Sequence, residues 1–187
     1  SGPIFGTYGA AYMAVHTGLD DLLCLDVGGT TAKASAVSGG EPVRQQSGDL
    51  FGISIQKPMQ LLRSIAVGGG SHIQHDAVKE EIIVGPESAG ASPGPACYGL
   101  GGFTPTLTDA LLTLGYLNPD DFLDGRRALD SVAAADALKR EIAGSLEISL
   151  GAAAILARDK AVKEVAELIR TTATAAGMAL TENTLAA

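Results

Sequence analysis

The stretch LDVGGTTAKASAV, Leu25 to Val37, decides how this chain is read. Asp26 closes an apolar run, Leu22-Leu23-Cys24-Leu25. Gly28 and Gly29 interrupt it, and Thr30 and Thr31 place two hydroxyls at the break. Ala34, Ala36 and Val37 then resume strand-compatible packing. A Gly-Gly turn between two β-type runs predicts a hairpin. It also suits an anion cradle, because glycine lets the backbone come close to a ligand and turn N–H groups point at it. From these residues alone, both readings stand.

The bulk composition narrows the choice. A chain of 187 residues is long enough for a sizeable core. Hydrophobic residues make up 46% but aromatics only 4%, so Ala, Val, Leu and Ile must do the packing. The formal net charge of -8 argues against nucleic acid or an anionic membrane as a general partner. A bound phosphate would need local help from backbone dipoles, a lysine or a metal ion. Cys24 and Cys97 make no disulfide framework. No apolar run reaches spanning length and no signal peptide opens the chain, so a cytoplasmic protein is expected. Ser1-Gly2-Pro3 and the closing TENTLAA read as the ends of a segment cut from something longer.

Periodicity divides the chain into three parts. Residues 1–84 read as a helix followed by a β-rich sheet. The helix is expected near 5–17, with Gly18 as its stop. LLCLDV and AKASAV form the hairpin, GGEPVRQQSGD connects short strands, LFGISIQ is a strand, LLRSIAV is a buried strand, and KEEIIVG is one more. Residues 85–107 are a Gly/Pro loop, GPESAGASPGPACYGLGG and its continuation. That composition suits no regular element and would also suit a linker, but Glu87, Cys97 and Tyr98 are more than a spacer needs. Residues 108–187 are helical. One helix starts with Thr108 or Asp109 near its N-cap, a second is capped by Asp130 or Ser131, and a third is long. The third is apolar at Ile155, Leu156, Val162, Val165, Leu168 and Ile169.

Several side chains are candidates for chemistry. Gly68-Gly69-Gly70-Ser71 follows a strand, where a ligand-approach loop or a tight turn belongs. Glu87 is a turn former or a base, and Asp109 is a helix cap or a cleft-facing carboxylate. His72, His75 and Asp76 suggest a metal, but strand geometry sends residues three apart to opposite faces. His16 reads as a helix-end surface histidine. Cys97 lacks an activating neighbour in sequence and reads as a buried structural thiol. Lys33 is a phosphate-pairing point charge or a solvated strand lysine.

Five segments occur in order: SGPIFGTYGAAYMA, LDVGGTTAKA, SIAVGGGS, VGPESAGASPGPACYG and TLTDALLTLGYLNP. Together they resemble the hydantoinase A/5-oxoprolinase family, which also includes ATP-dependent ketone carboxylase subunits. The resemblance runs from Ser1 to about Ile169. It implies an α/β fold of the actin/Hsp70/sugar-kinase (ribonuclease H-like) type. One half is represented here, with a mixed sheet, a β-hairpin phosphate loop and C-terminal helices. Asp26 to Thr31 then matches a phosphate loop, with Gly28, Gly29, Thr30 and Thr31 on the nucleotide and Asp26 on Mg²⁺. Gly69, Gly70 and Ser71 join the cofactor set, and Asp26, Glu87 and Asp109 the catalytic one. Many relatives carry an acid where Lys33 stands, and their earlier phosphate loop and FGGAGP-like segment do not occur here. The implied activity is ATP-dependent hydrolysis of a cyclic amide ring, with ATP and Mg²⁺ as cofactors. The alternatives are a ketone carboxylase subunit or a non-catalytic assembly domain that meets a partner subunit or a second copy.

Overall fold

The structure, a computed structural model, describes residues 2–50, 53–181 and 183–187. Two compact units emerge: Ser1–Val27, Ala32–Ile65 and Ala166–Ala187 form the first, and Gly28–Thr31 and Ala66–Val165 the second. These units interleave along the chain.

The first unit opens with α1 (Gly2–Thr17), three residues earlier than the sequence suggests. Gly18 ends it in the left-handed region at φ 71°, and the Leu19 amide donates back to the Ala14 carbonyl at 3.0 Å. Thr7, Ala11 and Ala14 form its buried stripe, while Phe5, Tyr8, Tyr12 and Val15 lie exposed. Strands β1 (Leu22–Val27) and β2 (Ala32–Ser38) make the predicted antiparallel hairpin, in register from Leu22 opposite Val37 to Val27 opposite Ala32. GGEPVRQQSGD supplies β3 (Glu41–Pro42) and β4 (Arg44–Gln45).

LFGISIQ is not one strand. Gly48–Leu50 (β5) and Ile53–Ile55 (β6) pair antiparallel, with Leu50 opposite Ile53. Phe51 and Gly52 lie outside the described residues. After β7 (Met59–Gln60), which pairs with β4, comes β8 (Leu62–Ile65). It is shorter and less buried than LLRSIAV suggests: Arg63 and Ser64 are exposed, and burial is confined to Leu61 and Val67 just outside it. Both β3 and β8 pair antiparallel with β2, and β11 (Thr184–Ala186) runs parallel to β1. The five strands make the expected mixed sheet. Leu23, Ala36, Leu61 and Ala173 pack on one another within this unit.

In the second unit, β9 (Ser71–Asp76) and β10 (Glu81–Ser88) pair antiparallel, with an irregularity between Val84 and Ser88. The Asp76 carboxylate accepts the Lys79 and Val78 amides at the turn, and those bonds hold its pKa below the usual carboxylate value. Strand β10 takes Gly85, Pro86, Glu87 and Ser88 from the segment expected to be irregular, and Ala96–Tyr98 forms a 3-10 turn. Helix α2 (Leu107–Thr113) follows. Then α3 (Ser131–Leu138) is N-capped by Asp130, whose side chain accepts the Val132 and Ala133 amides at 2.9 Å. Its course continues through a π turn at Lys139–Ala143 into α4 (Gly144–Leu146). Cys97, Leu112, Leu129 and Ala134 form a buried cluster, with Tyr98, Leu117 and Phe122 against it.

Helix α5 (Leu150–Ala176) is the long helix, and the expected face holds in its second half, where Leu168 is buried and Val165 and Ile169 are half-buried, but not in its first. Ile155, Leu156 and Val162 are exposed, whereas Ala153, Ala154, Ala157 and Ala161 are buried. Over the first half of the helix alanines rather than the larger residues mark the buried face, and over the second Leu168 and Ala173 do. Among the described residues, no helix is long and apolar enough to cross a membrane.

Candidate functional site

The turn Gly28–Thr31 joins β1 to β2, and the Gly28 amide closes it by donating to the Thr31 carbonyl at 3.0 Å. Its other contacts are made by the triple-glycine loop. The Gly69 amide donates to the Gly28 carbonyl at 3.0 Å, and the Gly70 amide to the Gly29 carbonyl at 2.6 Å. In a planar trans peptide, C=O and N–H point in opposite directions. Holding the Gly28 and Gly29 carbonyls against the glycine layer therefore turns the Gly29 and Thr30 amides away from it. Neither amide has an acceptor among the described residues. Gly29 and Thr30 are exposed.

The glycines of this layer do different work. Neither Gly28 nor Gly29 has a positive φ. A Cβ on Gly29 would meet nothing within 4 Å. Turn strain and packing inside the chain therefore give no reason for glycine at position 29. Gly68 is the opposite case. A Cβ there would lie 2.5 Å from the Gly28 carbonyl oxygen and 2.7 Å from the Thr30 nitrogen, backbone against backbone. In the sequence Gly68 is one glycine of a run, and only the packing shows that a side chain is excluded there.

Three of the expected ligand-binding residues are committed elsewhere. The amides of Gly69 and Gly70 already bond the turn, so these residues position it and are not themselves free to bind. Ser71 is fully buried, and its hydroxyl accepts the Gly68 amide at 2.9 Å. The three residues hold the loop rather than present donors to a ligand.

Asp109 is an internal anchor. The α2 N-cap is Thr106, not Thr108 or Asp109, and Asp109 is its third residue in a reciprocal capping box. The carboxylate is fully buried. It accepts the Cys97 amide at 2.8 Å, the Ala96 amide at 3.2 Å, and both the amide and the hydroxyl of Thr106 at 2.8 Å. A carboxylate with both oxygens engaged by internal donors anchors a loop; it does not face a cleft. It fastens the Gly/Pro loop to the start of α2. The spacing T-L-T-D was the sequence signal for this box. Beside it, burial and the Asp109 charge push the Cys97 thiol far above its ordinary pKa, consistent with an inert structural thiol. Thr108 does more than start the helix: its amide and its hydroxyl both donate to the Gly69 carbonyl, each at 2.7 Å.

Asp26 and Lys33 are direct cross-strand partners on β1 and β2. They line an open groove of about 620 Å³ together with Thr7, Cys24, Ser35 and Leu62. Asp26 is exposed, and neither residue has an ion-pair partner among the described residues. Lys33 is half-buried in this groove, not on an open face. Burial raises the Cys24 thiol, with a smaller opposing effect from its Ser35 hydrogen bond.

Glu87 sits near the end of β10 rather than in a loop. Its carboxylate is 76% exposed and 4.0 Å from Nδ1 of His72. His75 takes no part in that pair. Among the described residues, no group of three or more His, Cys, Asp or Glu side chains is placed to hold a metal ion. A hard cation here would need oxygens from a ligand or water beside a single carboxylate such as Asp26.

Comparison with known proteins identifies the family and the fold. The family model for hydantoinase/oxoprolinase matches residues 1–187. The chain is 39% identical over 155 residues to the caprolactamase subunit alpha of Pseudomonas jessenii, covering 83% of this chain and 22% of that one. Among solved structures, nucleotide-free acetone carboxylase, from work on ATP-dependent acetone carboxylation, superimposes with a TM-score of 0.90 at 31% identity. That match covers 99% of this chain and 26% of the other. The ATP-dependent caprolactamase of Pseudomonas jessenii gives a TM-score of 0.79 at 36% identity, covering 88% and 24%. The chain thus spans about a quarter of the length of these relatives, and its α/β mixed-sheet fold is theirs. By the whole-chain match, it belongs to the hydantoinase/oxoprolinase family.

Proposed function

We propose that this chain is the phosphate-binding part of an ATP-dependent hydrolase that opens a cyclic amide ring. The single observation that carries the proposal is the pair of acceptor-free amides at Gly29 and Thr30 in an exposed turn, with open space where a Gly29 Cβ would lie. Backbone amides aimed into accessible space are what a phosphate oxygen requires. The likeness to ATP-dependent enzymes supports reading that anion as a nucleotide phosphate, in half of an actin/Hsp70/sugar-kinase type of fold.

The residues fit ATP and Mg²⁺ in kind. Gly29 and Thr30 would bind phosphate through their amides, and Thr30 and Thr31 carry the hydroxyls. Asp26 is an exposed carboxylate without an internal partner, and Mg²⁺ is commonly held by one or two carboxylates together with phosphate oxygens and water. Lys33 offers a compensating positive charge in a chain of net charge -8. When bound, ATP supplies the phosphoryl group that activates an amide oxygen. The chain's own share is to orient the phosphates and offset their charge. Glu87, exposed beside His72, is the carboxylate we assign to the substrate side.

A second reading has its own support. The acetone carboxylase match covers nearly the whole chain, which supports activation of a ketone oxygen in a carboxylase subunit as the second reading of the same residues. The exposed Phe5, Tyr8, Tyr12 and Val15 stripe on α1, spaced 3-4-3, suits contact with a partner subunit or a second copy. We read the protein as cytoplasmic and its 187 residues as part of one domain of a larger polypeptide.

Titration with Mg-ATP, followed by the amide resonances of Gly29 and Thr30, tests the proposal. Both should shift on binding. The affinity of this chain alone should be weak, because a two-lobed site closes two sets of donors on one anion. Each charge-assisted hydrogen bond lost contributes about 1.5–3 kcal/mol. Unmoved Gly29 and Thr30 amides at saturating Mg-ATP would overturn it.

A further inference from the structure

We propose that Thr108 is a positioning residue for the nucleotide-facing turn, acting through two consecutive peptide groups. The inference rests on the phosphate reading of Gly29 and Thr30. The amide and hydroxyl of Thr108 both donate to the Gly69 carbonyl, each at 2.7 Å. That carbonyl and the Gly70 N–H belong to one peptide group. The Gly70 N–H donates to the Gly29 carbonyl at 2.6 Å. The Gly29 carbonyl and the Thr30 N–H belong to the next such group. A relay therefore runs from Thr108 through the 69–70 peptide to the 29–30 peptide, and it ends on the outward Thr30 amide.

Two physical effects follow. Hydrogen bonds in series polarise one another, so two donors on the Gly69 carbonyl make the Gly70 N–H a better donor. The same is then true of Thr30. The second effect is geometric. Thr108 is nearly buried, and a Cβ on Gly69 would come 2.9 Å from its hydroxyl oxygen, so the Gly69 peptide has little room to rotate. Thr108 itself is fixed from behind. It lies between Thr106 and Asp109, the two ends of the α2 capping box, and Asp109 also holds Ala96 and Cys97. The Ala89 amide adds a bond to the Gly70 carbonyl at 2.9 Å from the other side. The helix start thus sets the orientation of a peptide that lies two hydrogen bonds away.

Comparison of the parent chain with Thr108→Val and Thr108→Ser tests this. Valine keeps the backbone bond to Gly69 and removes the hydroxyl bond; serine retains both. Thr108→Ala repeats the valine test if the second methyl does not fit. Amide proton shifts without ligand read the relay, and Mg-ATP titration of the same samples reads its consequence. Thr108→Val should move the Gly70 and Thr30 amide resonances and weaken Mg-ATP binding by about fivefold. Thr108→Ser should restore both. If Mg-ATP shifts the parent's Gly29 and Thr30 amides but binds Thr108→Val equally well, the positioning role is overturned and the nucleotide reading stands. If Mg-ATP leaves the parent's turn amides unmoved, the nucleotide reading fails and this role fails with it.

Discussion

Gly68 lies in direct backbone contact with Gly28: a β-carbon at position 68 would sit 2.5 Å from the Gly28 carbonyl oxygen. The atoms that object are main-chain atoms of a tight turn, and they cannot move aside as a flexible side chain would. Gly68→Ala should therefore displace the Gly28–Thr31 turn. The expected cost is about 1–3 kcal/mol, the range for overpacked sites, read as a fall in melting temperature. Gly29→Ala is the control, since its Cβ meets nothing. It should melt within about 0.5 kcal/mol of the parent, yet lose Mg-ATP binding because its methyl enters the space in front of the turn. Equal stability of the two variants would contradict this assignment.

Lys33 should matter to nucleotide affinity more than to folding. It lines the groove beside Asp26 and has no ion-pair partner among the described residues. Lys33→Met keeps the apolar stem and removes the charge. The melting temperature should stay close to that of the parent, while Mg-ATP binding weakens. Unchanged affinity would return Lys33 to the role of an ordinary strand lysine.

Asp109→Ala should be among the most damaging single changes in the second unit. It strips the acceptor from the Ala96, Cys97 and Thr106 amides and from the Thr106 hydroxyl, all of them buried. Unsatisfied buried donors cost about 1–3 kcal/mol each. With four donors stranded we expect a loss of about 4 kcal/mol or more, with the Ala96–Tyr98 turn loosened. Faster alkylation of Cys97 in this variant is the local readout. A stable variant with Cys97 still protected would mean that the loop is anchored elsewhere.

Cys97 also predicts a response to alkaline pH. Burial first, and the Asp109 charge second, raise its pKa far above the ordinary 9.0. A raised folded-state pKa means that the unfolded chain releases the proton first. The contribution is therefore fully present below about pH 9 and declines as the pH rises above it. Cys97→Ala or Cys97→Val should flatten that alkaline decline in melting temperature. An unchanged slope would assign it to other groups. At pH 8 the native Cys97 thiol should resist iodoacetamide.

Much of this molecule is written locally. The Asp26–Thr31 hairpin follows from two β-type runs around a glycine pair, the stop of α1 from Gly18, and the cap of α3 from Asp130. Each is a short-range preference, and each appears where the residues predict it. The five ordered motifs also identified the family. Three matters were decided only by tertiary structure. Over the first half of α5 the buried positions are Ala153, Ala154, Ala157 and Ala161 while Ile155, Leu156 and Val162 stand exposed, so the covered face there does not follow the larger apolar side chains. Asp109 became an anchor because residues 96 and 97, distant in sequence, send their amides to its carboxylate. The free amides of Gly29 and Thr30 exist because the carbonyls of the same turn are occupied by the Gly69–Gly70 loop, remote in sequence. A sequence specifies which groups can donate and accept. Only the packing of remote segments decides which donors are used internally and which remain directed outward.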